Sequence, residues 1–205
     1  MAEQAGVALA EVKRQAVIDH VLSAARTHVL TNGIDATMDE LAEATGVSRR
    51  TLFRHFSSRE KLLAAAFEAG MANYRLQLPS YRGDLTGWLR ATCESAHRMN
   101  ATIGPGFFDL ASRPDLPPDL RDVEDRRRSA FREAMAEIAH TLWTASGRSG
   151  RTPRGIKVAV TAHLSPHFTA ALMIDAGEPW NAAADLAYGA ILAALERETR
   201  TASSH

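Results

Sequence analysis

The sequence predicts an all-α fold in two parts: a head of short, tightly capped helices over residues 1–60 and a bundle of longer helices over residues 61–205. Three observations carry this. Apolar residues recur at spacings of three and four through most of the chain, Gly, Pro and Asn clusters interrupt that recurrence at regular intervals, and no segment shows the alternation of a strand.

Composition bounds the rest. The chain has 205 residues, 45% of them hydrophobic and 23% charged, which is ordinary globular usage with enough length to bury a core. Cys93 is the only cysteine, so no internal disulfide forms and a reducing cytoplasm is the expected compartment. Glu3, Glu11, Lys13, Arg14 and Asp19 interrupt the first thirty residues, and neither a secretory signal nor a membrane span is expected. Lys and Arg number 24 against 24 Asp and Glu. Bulk charge therefore predicts no polyanion partner, and any such binding must be local.

The elements follow in order. A first helix spans about Glu11 to Thr31 with Val17, Val21, Ala24, Ala25, His28 and Val29 along one side, and it stops at Asn32-Gly33. Thr37-x-x-Glu40 is a capping box that opens a second helix, Met38 to Thr45, ended by Gly46. Ser48 caps a third helix that runs to Phe56, and Ser57-x-x-Glu60 reads as a further capping box for a fourth, through Leu62, Leu63, Phe67 and Met71. The second and third helices form a helix-turn-helix. Longer helices are expected near Asp84 to Asn100, Gly106 to Ser112, Asp119 to Ser146, Gly155 to Ala176 and Asn181 to Thr199, with an unstructured tail after Arg200.

The third helix concentrates charge. In "SRRTLFRHFSSREK", Ser48 to Lys61, Arg49, Arg50, Arg54, Arg59 and Lys61 face one acid, Glu60. At 100° per residue Leu52 and Phe56 fall on one side, whereas Arg50 and Arg54 fall opposite, flanked by Thr51 and His55 and by Arg49 and Phe53. A solvated face normally mixes signs, yet Arg49, Arg50 and Arg54 have no acid three or four residues away within the helix. Guanidinium groups bond guanine edges and phosphates in bidentate fashion, and a short helix after a tight turn enters the major groove. Thr37 places a hydroxyl and helix N-terminal amides where a phosphate docks.

The segment "GIDATMDELAEATGVSRRTLFRHFSSREKLL" resembles the DNA-binding domain of the TetR family of bacterial transcriptional regulators, over roughly Lys13 to Phe67. Thr37 to Ala42, Gly46 to Ser48, Leu52 to Phe56 and Arg59 to Leu63 carry the likeness in order. The resemblance implies base contacts from Arg49, Arg50 and Phe53 and backbone contacts from Thr37, Thr51, His55 and Arg59, with Ser48 at the entry of the reading helix. Phe53 stands where the family usually has Tyr, so the phosphate contact of that hydroxyl is lost or passes to Arg54. The resemblance further implies double-stranded operator DNA as partner, a helical second domain, a homodimer through the last two helices, and a small-molecule effector that lowers DNA affinity.

That second domain is read from its own residues. The last helix carries Ala184, Leu186, Ala187, Gly189, Ala190, Leu192, Ala193 and Leu195, a wide arc of small and apolar groups suited to a dimer interface. Candidate pocket residues are Trp88, His97, Met99, Phe107, Phe108, Trp143, His163, His167, Phe168 and Met173, with Gly104-Pro105-Gly106 as a mobile wall or an ordinary tight loop. No nucleotide-binding, hydrolase-elbow or zinc-protease motif occurs, so neither catalysis nor a cofactor is expected; "GRSGRTPRG", Gly147 to Gly155, lacks the P-loop lysine and reads as a flexible basic loop. Two alternatives stand beside an effector-released repressor: an architectural DNA-binding protein without effector, and a metal-responsive repressor. The latter requires Cys93, His97, His163 and His167 to converge on one ion. Ser165-Pro166 bears on it, because Ser-Pro either kinks a helix or caps a new one.

Overall fold

Capping chemistry sets most of the helix ends in the computed structural model, which describes residues Ala2 to Ala202. The described chain forms ten α-helices, one π-helical turn and no strand: α1 Ala2–Asn32, α2 Met38–Thr45, α3 Arg49–Phe56, α4 Arg59–Leu76, α5 Leu85–Asn100, α6 Pro105–Ser112, α7 Pro118–Ala145, α8 Arg154–His163, α9 Pro166–Ala170, the π turn Ala171–Asp175, and α10 Trp180–Ala202. Helix α1 begins nine residues before the expected Glu11, and α10 continues past Arg200, where an unstructured tail was expected. Residues 203–205 lie outside the described chain, and the Met71 side chain lies outside the described side chains.

Two compact units emerge, and they are not separated by one cut near residue 60. The first comprises Met1–Asn73 with Gly104–Arg127, the second Tyr74–Ile103 with Arg128–His205. In the first, Val21, Ala25 and Val29 of α1 pack with Leu41, Leu52, Leu62, Leu63 and Phe67, and Leu110, Leu116, Leu120 and Val123 complete the same core. Val17 stays 48% exposed despite its place on the expected apolar side. Segment 104–127 thus supplies part of the floor under the helix-turn-helix, a long-range contribution that no local pattern announces.

Two glycines explain how α6 sits there. A Cβ on Gly104 would lie 2.0 Å from the Leu30 carbonyl oxygen and one on Gly106 1.9 Å from that of Val29, so α6 meets the C-terminal end of α1 backbone to backbone. Arg113 reinforces the contact with a bidentate pair to Asp35 at 2.6 and 2.7 Å. Gly104-Pro105-Gly106 is consequently a packing element of the first unit rather than a mobile pocket wall.

In the second unit α5, α7, α8 and α10 surround Leu89, Cys93, Ala96, Met135, Leu142, Ile156, Val160 and Ile191. The single long helix expected from Gly155 to Ala176 is broken. Ser165 is an N-cap whose Oγ accepts from Phe168 N at 3.2 Å, Pro166 opens α9, and the π turn follows at once. The loop Gly147–Gly155 is anchored: Trp143 donates to Ser149 O at 3.2 Å and Arg148 to Thr199 O at 3.2 Å.

Candidate functional site

Local sequence builds the helix-turn-helix with little help. Thr37 Oγ1 accepts from Glu40 N at 3.2 Å while Thr37 N donates to the Glu40 carboxylate at 2.6 Å, the expected reciprocal box. Those hydrogen bonds hold the Glu40 carboxyl below its usual range. Gly46, at φ 67°, closes α2 by donating to the carbonyls of Ala42 and Glu43, and Ser48 Oγ accepts from Thr51 N at 3.3 Å to start α3. The fourth helix differs from expectation. Ser57 lies at φ 65° and closes α3, and it is Ser58 whose Oγ accepts from Lys61 N, so the Ser57-x-x-Glu60 box does not form.

Leu52 is 1% exposed and fixes α3 to the core, leaving Arg49, Arg50, Phe53 and Arg54 exposed on the outside, with Thr51 and His55 half-buried at the flanks. The three arginines do not share one environment. Arg49 donates to both carboxylate oxygens of Asp39, at 3.2 and 3.0 Å, and lies 5.5 Å from the Phe53 ring centre. Its acid comes from α2, a partner that spacing within α3 does not reveal. Arg54 reaches His55 Nε2 at 3.5 Å, while Arg50 projects exposed from the middle of the face.

Two residues expected at phosphates have other engagements. The Thr37 hydroxyl donates to Glu40 at 2.9 Å, so its proton is already committed to the cap. Arg59 turns inward: Nη1 donates to the carbonyls of Ile34 and Ala36 at 3.0 and 3.2 Å, and Nε to Glu60 at 3.0 Å. It ties the start of α4 to the loop between α1 and α2.

The pocket candidates scatter. Phe107 and Phe108 belong to the first unit, where Phe107 is buried beneath the Arg127 guanidinium at 4.6 Å. In the second unit Trp88 and Trp143 are buried wedges whose indole N–H groups end on the carbonyls of Pro79 and Ser149. Met99 is half-buried, and His167 and Met173 are exposed. His97, His163 and Phe168 do gather, with Phe168 5.8 Å from the first ring and 5.1 Å from the second. Two residues absent from the candidates join them. Thr169 Oγ1 lies 2.8 Å from His97 Nδ1, and Asn100 Nδ2 donates to Thr169 Oγ1 and to Leu164 O, both at 3.2 Å. Asn100 was findable, since it follows Ala96 by four and His97 by three on the buried side of α5.

The four residues proposed for a metal do not converge. Among the described residues no three His, Cys, Asp or Glu side chains come together to hold an ion. Cys93 lies inside the core, where burial pushes its thiol up to about 12, and the Ser165-Pro166 break separates His163 from the exposed His167.

The outer side of α10 is open. Ala184, Ala187, Ile191 and Leu195 are buried in their own unit, whereas Leu186, Gly189 and Ala193 are exposed, as is Val158 of α8. A shallow groove lined by Gly155, Val158, Ala159, Ala190, Ala193 and Ala194 runs between the two helices, with Arg154, His163 and Arg197 also on its walls. No described helix is long and apolar enough to cross a membrane.

Comparison with known proteins finds a family model over the head and a shared fold over most of the chain. Residues 21–66 match the model for bacterial regulatory proteins of the tetR family. No curated protein matches the sequence significantly. Among solved structures, a protein described as a TetR-family transcriptional regulator from Rhodococcus sp. superposes with a TM-score of 0.69 at 21% identity, covering 88% of this chain and 99% of that one. The fatty acid degradation regulator FadR from Bacillus halodurans gives 0.64 at 17%, covering 85% and 94%. NalD, the secondary repressor of the MexAB-OprM multidrug efflux pump in Pseudomonas aeruginosa, gives 0.55 at 18%, covering 89% and 96%.

Proposed function

From a chain that carries the DNA-binding domain of the tetR family of bacterial transcriptional regulators, we propose a sequence-specific repressor that binds a pseudo-palindromic operator as a homodimer and is released by a small, largely apolar effector. The observation that carries the DNA half is α3 itself: Leu52 locks one side inward, and Arg50 stands exposed on the other with Arg49, Phe53 and Arg54 around it. Arg50 reads a base edge, Arg49 is held ready by Asp39, and Thr51 and His55 meet the backbone. Thr37 reaches a phosphate only by surrendering its bond to Glu40, and Arg59 supports the fold of the head.

The dimer reading is supported by the outer face of α8 and α10. Gly189 would meet nothing within 4 Å if it carried a Cβ, so its own unit gives no reason for a glycine there. A second copy packed closely across α10 does. The effector reading is supported by a mostly apolar second unit that encloses a few buried polar groups, and the repressor reading by NalD, described as a repressor, which shares this fold. The expected compartment is the cytoplasm.

The test is titration of selected and random duplexes with the unaltered chain and with Arg50→Ala. The variant loses about 1 to 3 kcal/mol on the selected duplex and little on random DNA. Equal losses on both would remove the base-reading role.

A further inference from the structure

The first turn of α3 carries two arginines, Arg49 and Arg50, and no acid. Cations there sit against the positive end of the helix dipole and repel each other, so the turn is disfavoured without an anion close by. The neighbouring helix supplies one. Asp39, on the first turn of α2, accepts from Arg49 Nη1 through both carboxylate oxygens, at 3.2 and 3.0 Å. Both side chains remain open to solvent, 72% for Asp39 and 57% for Arg49. An ion pair so exposed adds little to folding, and its consequence falls on what the face can bind.

The two bonds share one nitrogen. Because both start from Nη1, the Nε–Nη2 edge of the guanidinium has no protein partner among the described residues. That edge presents two parallel N–H groups, the fork that matches guanine O6 and N7. The Phe53 ring, 5.5 Å from the guanidinium carbon, lies beside it on the same exposed face.

An unrestrained arginine on this face would neutralise any phosphate within reach, whatever the sequence. Arg49 is restrained. A phosphate that draws it away must displace the Asp39 carboxylate and is repelled by that same charge. A guanine edge is neutral and brings two acceptors, so it can take the open edge with Asp39 still in place.

We infer that Asp39 is a specificity-determining residue of the DNA site, holding Arg49 by one corner so that the remaining edge reads a guanine, and keeping that arginine off the phosphates. Asp39 is a positioning residue: it acts through Arg49 and touches no base. One helix of the helix-turn-helix thus carries the reader and the other aims it. The inference rests on the DNA reading above and adds to it one base and one discriminating acid.

Duplexes selected from random sequence by the unaltered protein, by Asp39→Asn and by Arg49→Ala test it, with selected and random duplexes then titrated across salt. The unaltered protein is expected to select a guanine in each half-site that both variants cease to select, while the other positions persist in all three. Asp39→Asn should bind random duplex more tightly, with a salt slope steeper by about 0.9 for each arginine released to a phosphate. Its ratio of selected to random affinity should fall by about tenfold. In the Arg49→Ala background Asp39→Asn should alter no base preference. An unchanged consensus in Asp39→Asn, weaker binding of random duplex, or a base preference that it alters without Arg49 would overturn the inference. So would a melting curve in which Asp39→Asn unfolds the head at the assay temperature, which would make Asp39 a residue of the fold. If Arg50→Ala loses its own base while Asp39→Asn keeps the whole consensus, this inference falls and the DNA reading stands. If the unaltered protein selects no common sequence, the DNA reading itself falls.

Discussion

Replacing Gly106 by Ala adds one methyl group where α6 meets α1. The new Cβ would lie 1.9 Å from Val29 O and 2.8 Å from Val29 C, both main-chain atoms that no rotamer change can move. Ordinary contact needs about 3.4 Å, so α6 must lift by about 1.5 Å, the difference from the 1.9 Å found. Lifting loosens Leu110 and Phe107, which are 0% and 8% exposed. Overpacking of this kind costs about 1 to 3 kcal/mol, and the gap opened beneath Leu110 places the expected loss at about 2 to 3. The chain stays folded, because domains carry about 5 to 15 kcal/mol. Urea melts followed by circular dichroism should show a lower midpoint with an unchanged slope, together with a melting temperature down by about 4 to 12 °C. A change within about 0.5 kcal/mol would show that α6 does not meet α1 backbone to backbone.

Arg59→Ala should cost about 1 to 3 kcal/mol of stability by leaving the Ile34 and Ala36 carbonyls unpaired, whereas Arg50→Ala should leave the melting curve in place; matching melts for the two variants would refute the inward role of Arg59. Gly189→Ala should stabilise the isolated subunit by about 0.5 to 1 kcal/mol through helix propensity while weakening the dimer, so sedimentation equilibrium of the variant tests the α10 interface, and an unchanged or tighter dimer would contradict it. His97 is held near 4 when folded against an ordinary 6.5, so the unfolded chain binds the extra proton between those values. Its stabilising contribution is complete above pH 6.5 and is lost as pH falls towards 4, on the order of 3 kcal/mol. His97→Gln should flatten that part of the stability–pH curve, and an equally steep curve would refute it.

What the sequence made legible was the chemistry of neighbours. Thr37 and Glu40, Gly46, and Ser48 with Thr51 lie within four residues of their partners, so α2 and α3 end where local capping says they should. The outward arginines followed from the helical period, given that Leu52 faces in. Non-local partners left no such trace. Asp39 finds Arg49 across the turn, Arg59 finds carbonyls 23 and 25 residues back, and segment 104–127 joins the head from well beyond it. The Ser57 box failed because Ser57 adopts φ 65° to close α3, so a signal that fitted two adjacent serines was realised one residue later. In the second unit aromatic and methionine residues were legible only as apolar. Trp88 and Trp143 became core, while Thr169, unremarkable in sequence, became the partner of both His97 and Asn100.

Sequence-specific DNA binding and release by a ligand are both tested in one measurement. Duplexes selected from random sequence by the unaltered protein are titrated by fluorescence anisotropy at several salt concentrations, with and without each compound of a broad small-molecule library. The account predicts a pseudo-palindromic consensus bound with a steep salt dependence, from phosphate neutralisation by both heads, and an affinity at least tenfold lower with the ligand bound. Selection that returns no common sequence, or a selected duplex whose affinity no compound of the library changes, would contradict it.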